Sequence, residues 1–545
     1  MINVSHRPEG RTQAFVRCVL ALLIAGSGAA TGGQFHVHPG GSPMGDGSAT
    51  RPWDLRTALT QTAVVLPGDT VWLHGGRYWG TFESFLTGTP AAPIFVRSYP
   101  GEWAVIDNGG SNDMALWLKG GYTWFWGLEV TNSNPSPPRN EGGVNFTSSI
   151  GNKLINALVH DMGSTGINPY VPSIDAEIYG CLVYYNGRFD DTNRVNGYGI
   201  YGQNAAPSRK LIADNFFFNM FGVFPAHMAG SSTAKIDGMS FEGNVIFGHT
   251  LYDGKNVIAV YGNFEPGAGK NLEPEWKSNF FYRSDLWLGY NGDGVDSATV
   301  TGNIFYRGEL SEHPANTYRL KADNVLTSDE DTVIVRPNRF ADSYDPRRAN
   351  IVVLNGRGAM QVTVKLPPGV LVPGDSFQVR DVQNYLGPPV AAGVFTDSII
   401  VIPMPGSSSP IMQPRSIPAH RPGSSLPSHT DREFGAFVLL ANLQRGDWPL
   451  AVGGSPYVGE YALAQNYPNP FNPSTTITFM LSARTYVRLS VTNILGQEVS
   501  TLVDGMLEAG NHSAVFDGLR SASGVYFYRL VAGDHSYVKR MVLLR

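Results

Sequence analysis

The chain has 545 residues, 63 of them Gly and 37 Pro, with 16% charged side chains and a formal net charge of -5. This turn-rich, lightly charged profile suits a large secreted β protein of two or three domains. So small a net charge supplies no global field for nucleic acid or an anionic membrane, and neither is expected as a partner.

Residues 1–30 read as a signal peptide. Arg7, Arg11 and Arg17 precede the apolar run CVLALLIAG, and Ser27, Gly28, Ala29 and Ala30 offer small residues for cleavage. The run falls short of the roughly 20 apolar residues that cross a bilayer, so no transmembrane span is expected in the mature chain. Its removal takes Cys18 away and leaves Cys181 without a disulfide partner. Cys181 follows Gly180 within a strand, where a buried structural thiol is expected.

From Phe35 the chain reads FHVHPGGSPMGDGSATRPWDLRTALTQTAVVLPGDTVWLHGGRYWGTF and then PIFVRSYPGEWAVIDNGG. A short strand, a Gly-rich turn, a brief helix near 55–63 and further strands follow from these words. They resemble the amino-terminal cap and early coils of the pectate-lyase-like right-handed parallel β-helix superfamily. The resemblance covers about residues 34–325 and implies a solenoid whose open end is closed by the short helix. His36, His38 and His74 invite a metal reading. The HxH spacing on a cap strand, without acidic or Cys partners nearby in sequence, favours structural roles.

Between 156 and 324 one phrase recurs, an Asn or Gly followed by an apolar, mostly aromatic strand. It reads NALVHD, GCLVYYN, NFFFNM, NVIFGH, NFFYRS, NIFYRG and NVLTSD, starting at Asn156, Gly180, Asn215, Asn244, Asn279, Asn303 and Asn324. Uneven spacing of this kind marks a solenoid with loops of variable length. Asn and Gly tolerate the left-handed backbone that a sharp bend requires, and stacked Asn side chains can hydrogen-bond along a ladder. The strands are β-branched and aromatic, with no helical period.

In the resembling folds, the strand that follows this phrase lines the substrate groove. Here those strands are ALWLKG, GVNF, GINPY, GIYGQN, GVFPAH, NVIAVYGN and DLWLGYNG. Alternation turns Leu116, Leu118, Val144, Ile167, Ile200, Val223, Ile258, Val260, Leu286 and Leu288 inward. Trp117, Lys119, Asn145, Asn168, Tyr201, Gln203, Phe224, Tyr261, Asn263 and Trp287 turn outward. Aromatic faces pack on pyranose rings and amides meet hydroxyls, so this outward row suits a sugar chain. The expected substrate contacts are Trp117, Asn145, Asn168, Tyr201, Gln203, Phe224, Tyr261 and Trp287, with His227 at the end of GVFPAH.

Loops before these strands bring ionisable groups: Arg188, Asp190, Asp191 and Arg194; His249, Asp253 and Lys255; Arg283 and Asp285. In β-elimination of a uronic acid, a cation offsets the carboxylate and a base removes the C5 proton. Lys255 is the first base candidate, with Arg194 or Arg283 stabilising the anion. Glycoside hydrolysis would instead pair carboxylates from Asp190, Asp191, Asp253 and Asp285. Polygalacturonase-like NTD, GHG and RIK motifs are absent. NGDGVD sets Asn291, Asp293 and Asp296 in a Gly-rich loop that suits calcium, although a plain turn has the same composition.

Past 325 the period ends. DTVIVRPNRF, ANIVVLNG, MQVTVKLPPGV, DSFQVRDVQNYLG, SIIVIPM and EFGAFVLL alternate like the strands of a β-sandwich over 326–441, with a Pro/Ser-rich loop at 403–430. Residues 442–460 form a linker. The words LAQNYPNPFNPSTTITFML, VTNILGQEV, GNHSAVFDGL, SGVYFYRL and YVKRMVLLR, with Lys539 and Arg540, resemble the C-terminal sorting domain of type IX secretion substrates over 461–545.

The expected fold is all-β: a right-handed parallel β-helix, a β-sandwich and a small immunoglobulin-like sorting domain. The resemblances imply a monomeric, secreted or surface protein whose partners are a polysaccharide and the type IX outer-membrane translocon. A polysaccharide lyase leads, ahead of a hydrolase of the same fold and a noncatalytic glycan-binding adhesin.

Overall fold

The computed structural model describes residues 32–544, apart from 135–136, 139–141, 190–194, 252–254, 264, 291, 328–330, 338–343, 345–347, 397, 415–426, 442–461, 464–465, 467–470, 482–483, 508–509, 520 and 534. The expected signal peptide and the whole of the linker lie outside the described residues. Successive coils stack three parallel sheets, of eleven, ten and nine strands among the described residues. The first runs from Gln34–Val37 to Tyr318–Ala322, the second from Gly76–Trp79 to Val325–Thr327, and the third, the groove sheet, from Phe82–Ser84 to Leu310–Glu312. The part from Gln34 to Thr327 is a parallel β-helix.

The cap forms as its sequence dictates. Asp54 precedes the helix Leu55–Thr60 and its carboxylate accepts the Thr57 N–H at 2.9 Å, satisfying an amide that the first turn leaves free. Leu55, Ala58 and Leu59 face the solenoid core.

The recurring phrase holds two kinds of turn residue. Pairing aligns Leu158, Leu182, Phe216, Val245, Phe280, Ile304 and Val325 as one row. One position earlier stand Ala157, Cys181, Asn215, Asn244, Asn279, Asn303 and Asn324. Two positions earlier stand Asn156, Gly180, Asp214, Gly243, Ser278, Gly302 and Asp323, all with positive φ between 51° and 67°. Asn156 and Gly180 are therefore the left-handed bends of their coils, and the later Asn residues sit one step beyond the bend. Those later residues build the ladder. Each Oδ1 from Asn244 to Asn324 accepts both the main-chain N–H and the side-chain Nδ2 of the preceding Asn, at 2.8–3.2 Å. Cys181 takes the ladder position at its amino end, where its N–H donates to Asn215 Oδ1 at 2.8 Å.

The second sheet carries aromatics on both faces. Phe217, Ile246, Phe281 and Phe305 turn inward to the solenoid core. Their neighbours Phe216, Phe218, Phe247, Phe280, Tyr282 and Tyr306 turn outward and are covered by Val352, Leu354, Phe434, Val438 and Leu440. These belong to the next domain, in which strands Thr332–Pro337, Arg348–Leu354, Phe434–Ala441, Ser376–Asp381 and Ala391–Val394 form one sheet facing the pair Gln361–Lys365 and Ile399–Pro403. Polar ties fix the contact: Arg348 Nη2 donates to Gly180 O at 2.7 Å, and Asn350 Nδ2 to Asp214 O at 2.7 Å. The sandwich thus covers the second sheet. A last unit of three- and four-stranded antiparallel sheets, from Ala462–Leu463 to His535–Leu543, buries Val487, Leu489, Tyr528, Leu530 and Met541 between its layers.

Candidate functional site

The groove sheet sets its side chains by register. Phe82, Leu116, Val144, Ile167, Ile200 and Ala226 align, as do Ala259, Leu286 and Leu310, and these residues face the core. One step on, the outward row reads Glu83, Trp117, Asn145, Asn168, Tyr201, His227, Val260, Trp287 and Ser311. Trp117, Asn145, Asn168, Tyr201 and Trp287 thus lie on the expected face, in line with one another.

Two expected contacts lie elsewhere. Tyr261 points into the core, because His227 pairs with Val260 and Val257, Ala259 and Tyr261 share the inner face. Its ring packs edge-on against Phe241 and Trp276, and its hydroxyl donates to Ile236 O. Asn263 follows the same phase, and its Nδ2 donates to Gly269 O. Phe224 precedes its strand, which begins at Ala226 and not at Gly222. Its ring still reaches the site, stacked on His227 at 4.8 Å.

His227 is the centre of this face. It is only 7% exposed, and neither ring nitrogen has a hydrogen-bond partner. Tyr198, Phe224 and Tyr201 surround it, with ring centroids at 4.5, 4.8 and 5.6 Å. Burial among apolar rings disfavours the imidazolium and lowers the pKa to about 4, so the ring is neutral at neutral pH. Burial, followed by Tyr201 and Tyr290, raises Tyr198 and keeps its phenol protonated. Tyr170 packs on Tyr201, whose hydroxyl accepts from Gln203 Nε2 at 3.4 Å. Asn145 Oδ1 is buried and unpaired in the same row. Tyr170, Tyr198 and Tyr290 escaped sequence reasoning because they flank the strands and have no place in the alternation. Their places at the end of GINPY, just before GIYGQN and within DLWLGYNG were the available signal.

Each end of the row carries charge. At one end Lys119 Nζ pairs with Glu83 at 2.6 Å and lies 5.5 Å from the Trp117 ring, while Trp117 Nε1 donates to Asp113 at 3.1 Å. At the other, Trp287 stacks on Tyr290 at 5.8 Å, and Asp285 accepts the Glu309 N–H at 2.9 Å.

Of the expected catalytic groups, Arg283 and Lys255 are among the described residues. Arg283 occupies a left-handed turn after a second-sheet strand, with φ 48°, and pairs with Glu433 of the sandwich. Lys255 is exposed beside the bridge from His249 to Asn256, and its carbonyl accepts the Thr250 N–H at 2.9 Å. Asp191, Arg194 and Asp253 lie outside the described residues, as does Asn291. Asp293 accepts the N–H groups of Gly267 and Gly269 at 3.2 and 2.6 Å, and Asp296 accepts from Thr317 Oγ1. These carboxylates serve the protein's own donors. Among the described residues no group of three or more His, Cys, Asp or Glu could hold a metal. His36 and His74 are joined at 3.0 Å, and His74 reaches Glu102, an acid distant in sequence, at 3.1 Å.

Residues 465–544 match the secretion system C-terminal sorting domain. That unit marks the chain for export to the cell surface or beyond, with the secretion machinery as its partner, and no helix among the described residues is long and apolar enough to cross a membrane. The chain is also similar to pectate lyase L of Thermoclostridium stercorarium, 29% identical over 140 residues, which make up 25% of this chain and 11% of that protein. The match thus spans about a tenth of the relative's length. Among solved structures, a mannuronic acid specific polysaccharide family 6 lyase from human gut microbiota aligns over 53% of this chain and 63% of its own, at 17% identity and a TM-score of 0.38. A rhamnogalacturonan lyase aligns over 50% and 87%, at 13% identity and a TM-score of 0.22.

Proposed function

We propose that the chain is an exported polysaccharide lyase that cleaves a uronic-acid-containing glycan by β-elimination at His227. The observation that carries this reading is a neutral histidine with two unpartnered nitrogens, buried among tyrosines on the groove face. Buried polar groups are otherwise almost always paired, and exceptions cluster at sites of chemistry.

An imidazole that stays neutral down to about pH 4 presents an unprotonated nitrogen throughout the physiological range. His227 removes the C5 proton, the C–H electron pair becomes the C4–C5 double bond, and the C4–O bond breaks. Tyr198 or Tyr201 protonates the departing glycosidic oxygen. Return of the proton from imidazolium to tyrosinate through solvent resets the pair. Tyr198 and Phe224 lie over the imidazole and are half-buried, so a sugar ring enters by displacing them. The amides of Asn145 and Asn168 suit the uronate carboxylate and hydroxyls, and Trp117 and Trp287 offer flanking platforms for pyranose faces. Similarity to a pectate lyase and the sorting domain for export support the same reading.

The test is a panel of polygalacturonate and polymannuronate given to the purified chain and to His227→Ala and Tyr198→Phe. Unsaturated sugar ends from the parent, lost in His227→Ala with binding retained, support the proposal. Binding without any cleavage by the parent makes the chain an adhesin and removes it.

A further inference from the structure

Lys210 breaks the pattern of the core. It belongs to the first-sheet strand Lys210–Ala213, whose alternate residue Ile212 is fully buried in the solenoid interior. Lys210 faces the same way and has no exposed surface, and it pairs along the sheet with Met239. An apolar residue would satisfy that position. Lysine is almost never fully buried unless its ammonium is paired.

The ammonium reaches across the interior to the underside of the groove wall. Nζ donates to Tyr170 O and Gln203 O, each at 2.5 Å, and lies 3.5 Å from Pro169 O. These carbonyls belong to the turns that leave two adjacent groove strands, Ile167–Pro169 and Ile200–Tyr201. The residues tied down are those that build the nest beside His227: Tyr170 packs on Tyr201 with centroids 6.1 Å apart, and Gln203 donates to the Tyr201 hydroxyl. Two of the three carbonyls also have other donors. Pro169 O accepts the Gln203 N–H at 3.0 Å, and Tyr170 O accepts from Ser173 N and Oγ at 3.0 and 2.7 Å. Those two carbonyls therefore do not depend on the lysine, whereas Gln203 O accepts from Lys210 Nζ. An ammonium buried at a cost and aimed at the back of a site fits a role in that site.

We propose that Lys210 is a positioning residue: its buried ammonium clamps the two turns behind the groove and fixes Tyr170, Tyr201 and Gln203 against His227. This rests on the lyase reading for its kinetic consequence and on geometry alone for the clamp. Proton transfer depends on placement to within about an ångström, and a misplacement of that size costs about 10²-fold in rate. Because the clamp holds groups that act during proton transfer, its loss falls on kcat more than on KM.

The test compares the parent chain with Lys210→Met and Lys210→Gln by thermal unfolding, by crystal structure and by kinetics on whichever polyuronide the parent cleaves. The expected result is an unfolding temperature within a few degrees of the parent, turns 169–173 and 202–204 displaced, and kcat lowered about 10²-fold in Lys210→Met with KM little changed. Lys210→Gln, which keeps two donors, recovers part of the loss. Unmoved turns, unchanged kcat in a folded variant, or unfolding of both variants overturns the proposal, the last by making Lys210 a strut of the fold. Failure of the parent to cleave any polyuronide sinks the lyase reading instead, and the displaced turns then still decide the clamp.

Discussion

Replacing Asn279 by Ala removes one rung of the asparagine ladder. Asn279 Oδ1 accepts Asn244 N and Asn244 Nδ2, each at 3.0 Å, and Asn279 Nδ2 donates to Phe241 O and Asn303 Oδ1, each at 2.9 Å. After truncation Asn244 Nδ2 keeps Ile212 O, and Asn303 Oδ1 keeps the Asn279 N–H. The Asn244 N–H has lost its acceptor inside the core. One orphaned buried donor costs about 1–3 kcal/mol and each further lost bond a net of about 1 kcal/mol, partly recovered, for a total of about 3–4 kcal/mol. Unfolding of a multidomain chain is not two-state, so the local readout is hydrogen exchange of Val245, Ile246 and Phe247, which pair with the adjacent coils. About 3 kcal/mol predicts roughly 10²-fold faster exchange there. Asn156→Gly is the control. Asn156 belongs to the same phrase but sits at the bend with φ 51°, and neither atom of its carboxamide is paired. Glycine accepts that backbone conformation freely, so this change costs under about 1 kcal/mol or stabilises. Equal effects from the two substitutions, or less than about threefold faster exchange in Asn279→Ala, refute the two-phase account of the repeat.

Other outcomes follow from single sites. The depressed pKa of His227, about 4 against 6.5 unfolded, means that the unfolded chain binds the extra proton between those values. Stability from this group is complete above about pH 6.5 and is lost as pH falls through 4, by about 3 kcal/mol, and His227→Phe flattens that part of the denaturation profile. In the parent, kcat/KM on a polyuronide falls on the acid side only near pH 4, and an acid limb near 6.5 speaks against His227 as base. Glu433 accepts from Tyr282 Oη and Arg283 and pairs with Arg307 at 2.9 Å, so Glu433→Ala loosens the sandwich by about 1–3 kcal/mol. Limited proteolysis reads this as faster cleavage between the domains with groove activity intact. Cys181 is fully buried and its thiol is pushed up to about 12, so it resists alkylation until the solenoid unfolds, and rapid labelling of the native chain contradicts the fold.

The architecture was legible because its determinants are local and repeated. Asn215, Asn244, Asn279, Asn303 and Asn324 announce a ladder, and alternation places Leu116, Val144, Ile167, Ile200 and Leu286 on the inner face, as observed. The phase slipped wherever two residues could serve one role. Asn156 and Gly180 look like ladder residues, yet the bend stands one step ahead of the ladder and takes Asp, Ser or Gly elsewhere. In NVIAVYGN both Ile258/Val260 and Val257/Ala259/Tyr261 alternate, and only the need for a large ring against Phe241 and Trp276 decides between them. The outward aromatics of the second sheet cover a domain contact that no local pattern reveals. Arg283 went the same way, because its partner Glu433 lies far along the chain. His227 was placed at the groove by sequence, but its want of a partner depends on tyrosines from neighbouring coils.

The central claim is an elimination at His227, and the mass of the product ends tests it most directly. Digestion of polygalacturonate or polymannuronate in heavy-oxygen water predicts oligosaccharides one water lighter than hydrolysis products, carrying no solvent oxygen, and none at all from His227→Ala. Products that incorporate solvent oxygen, or unsaturated ends that persist undiminished in His227→Ala, contradict the account.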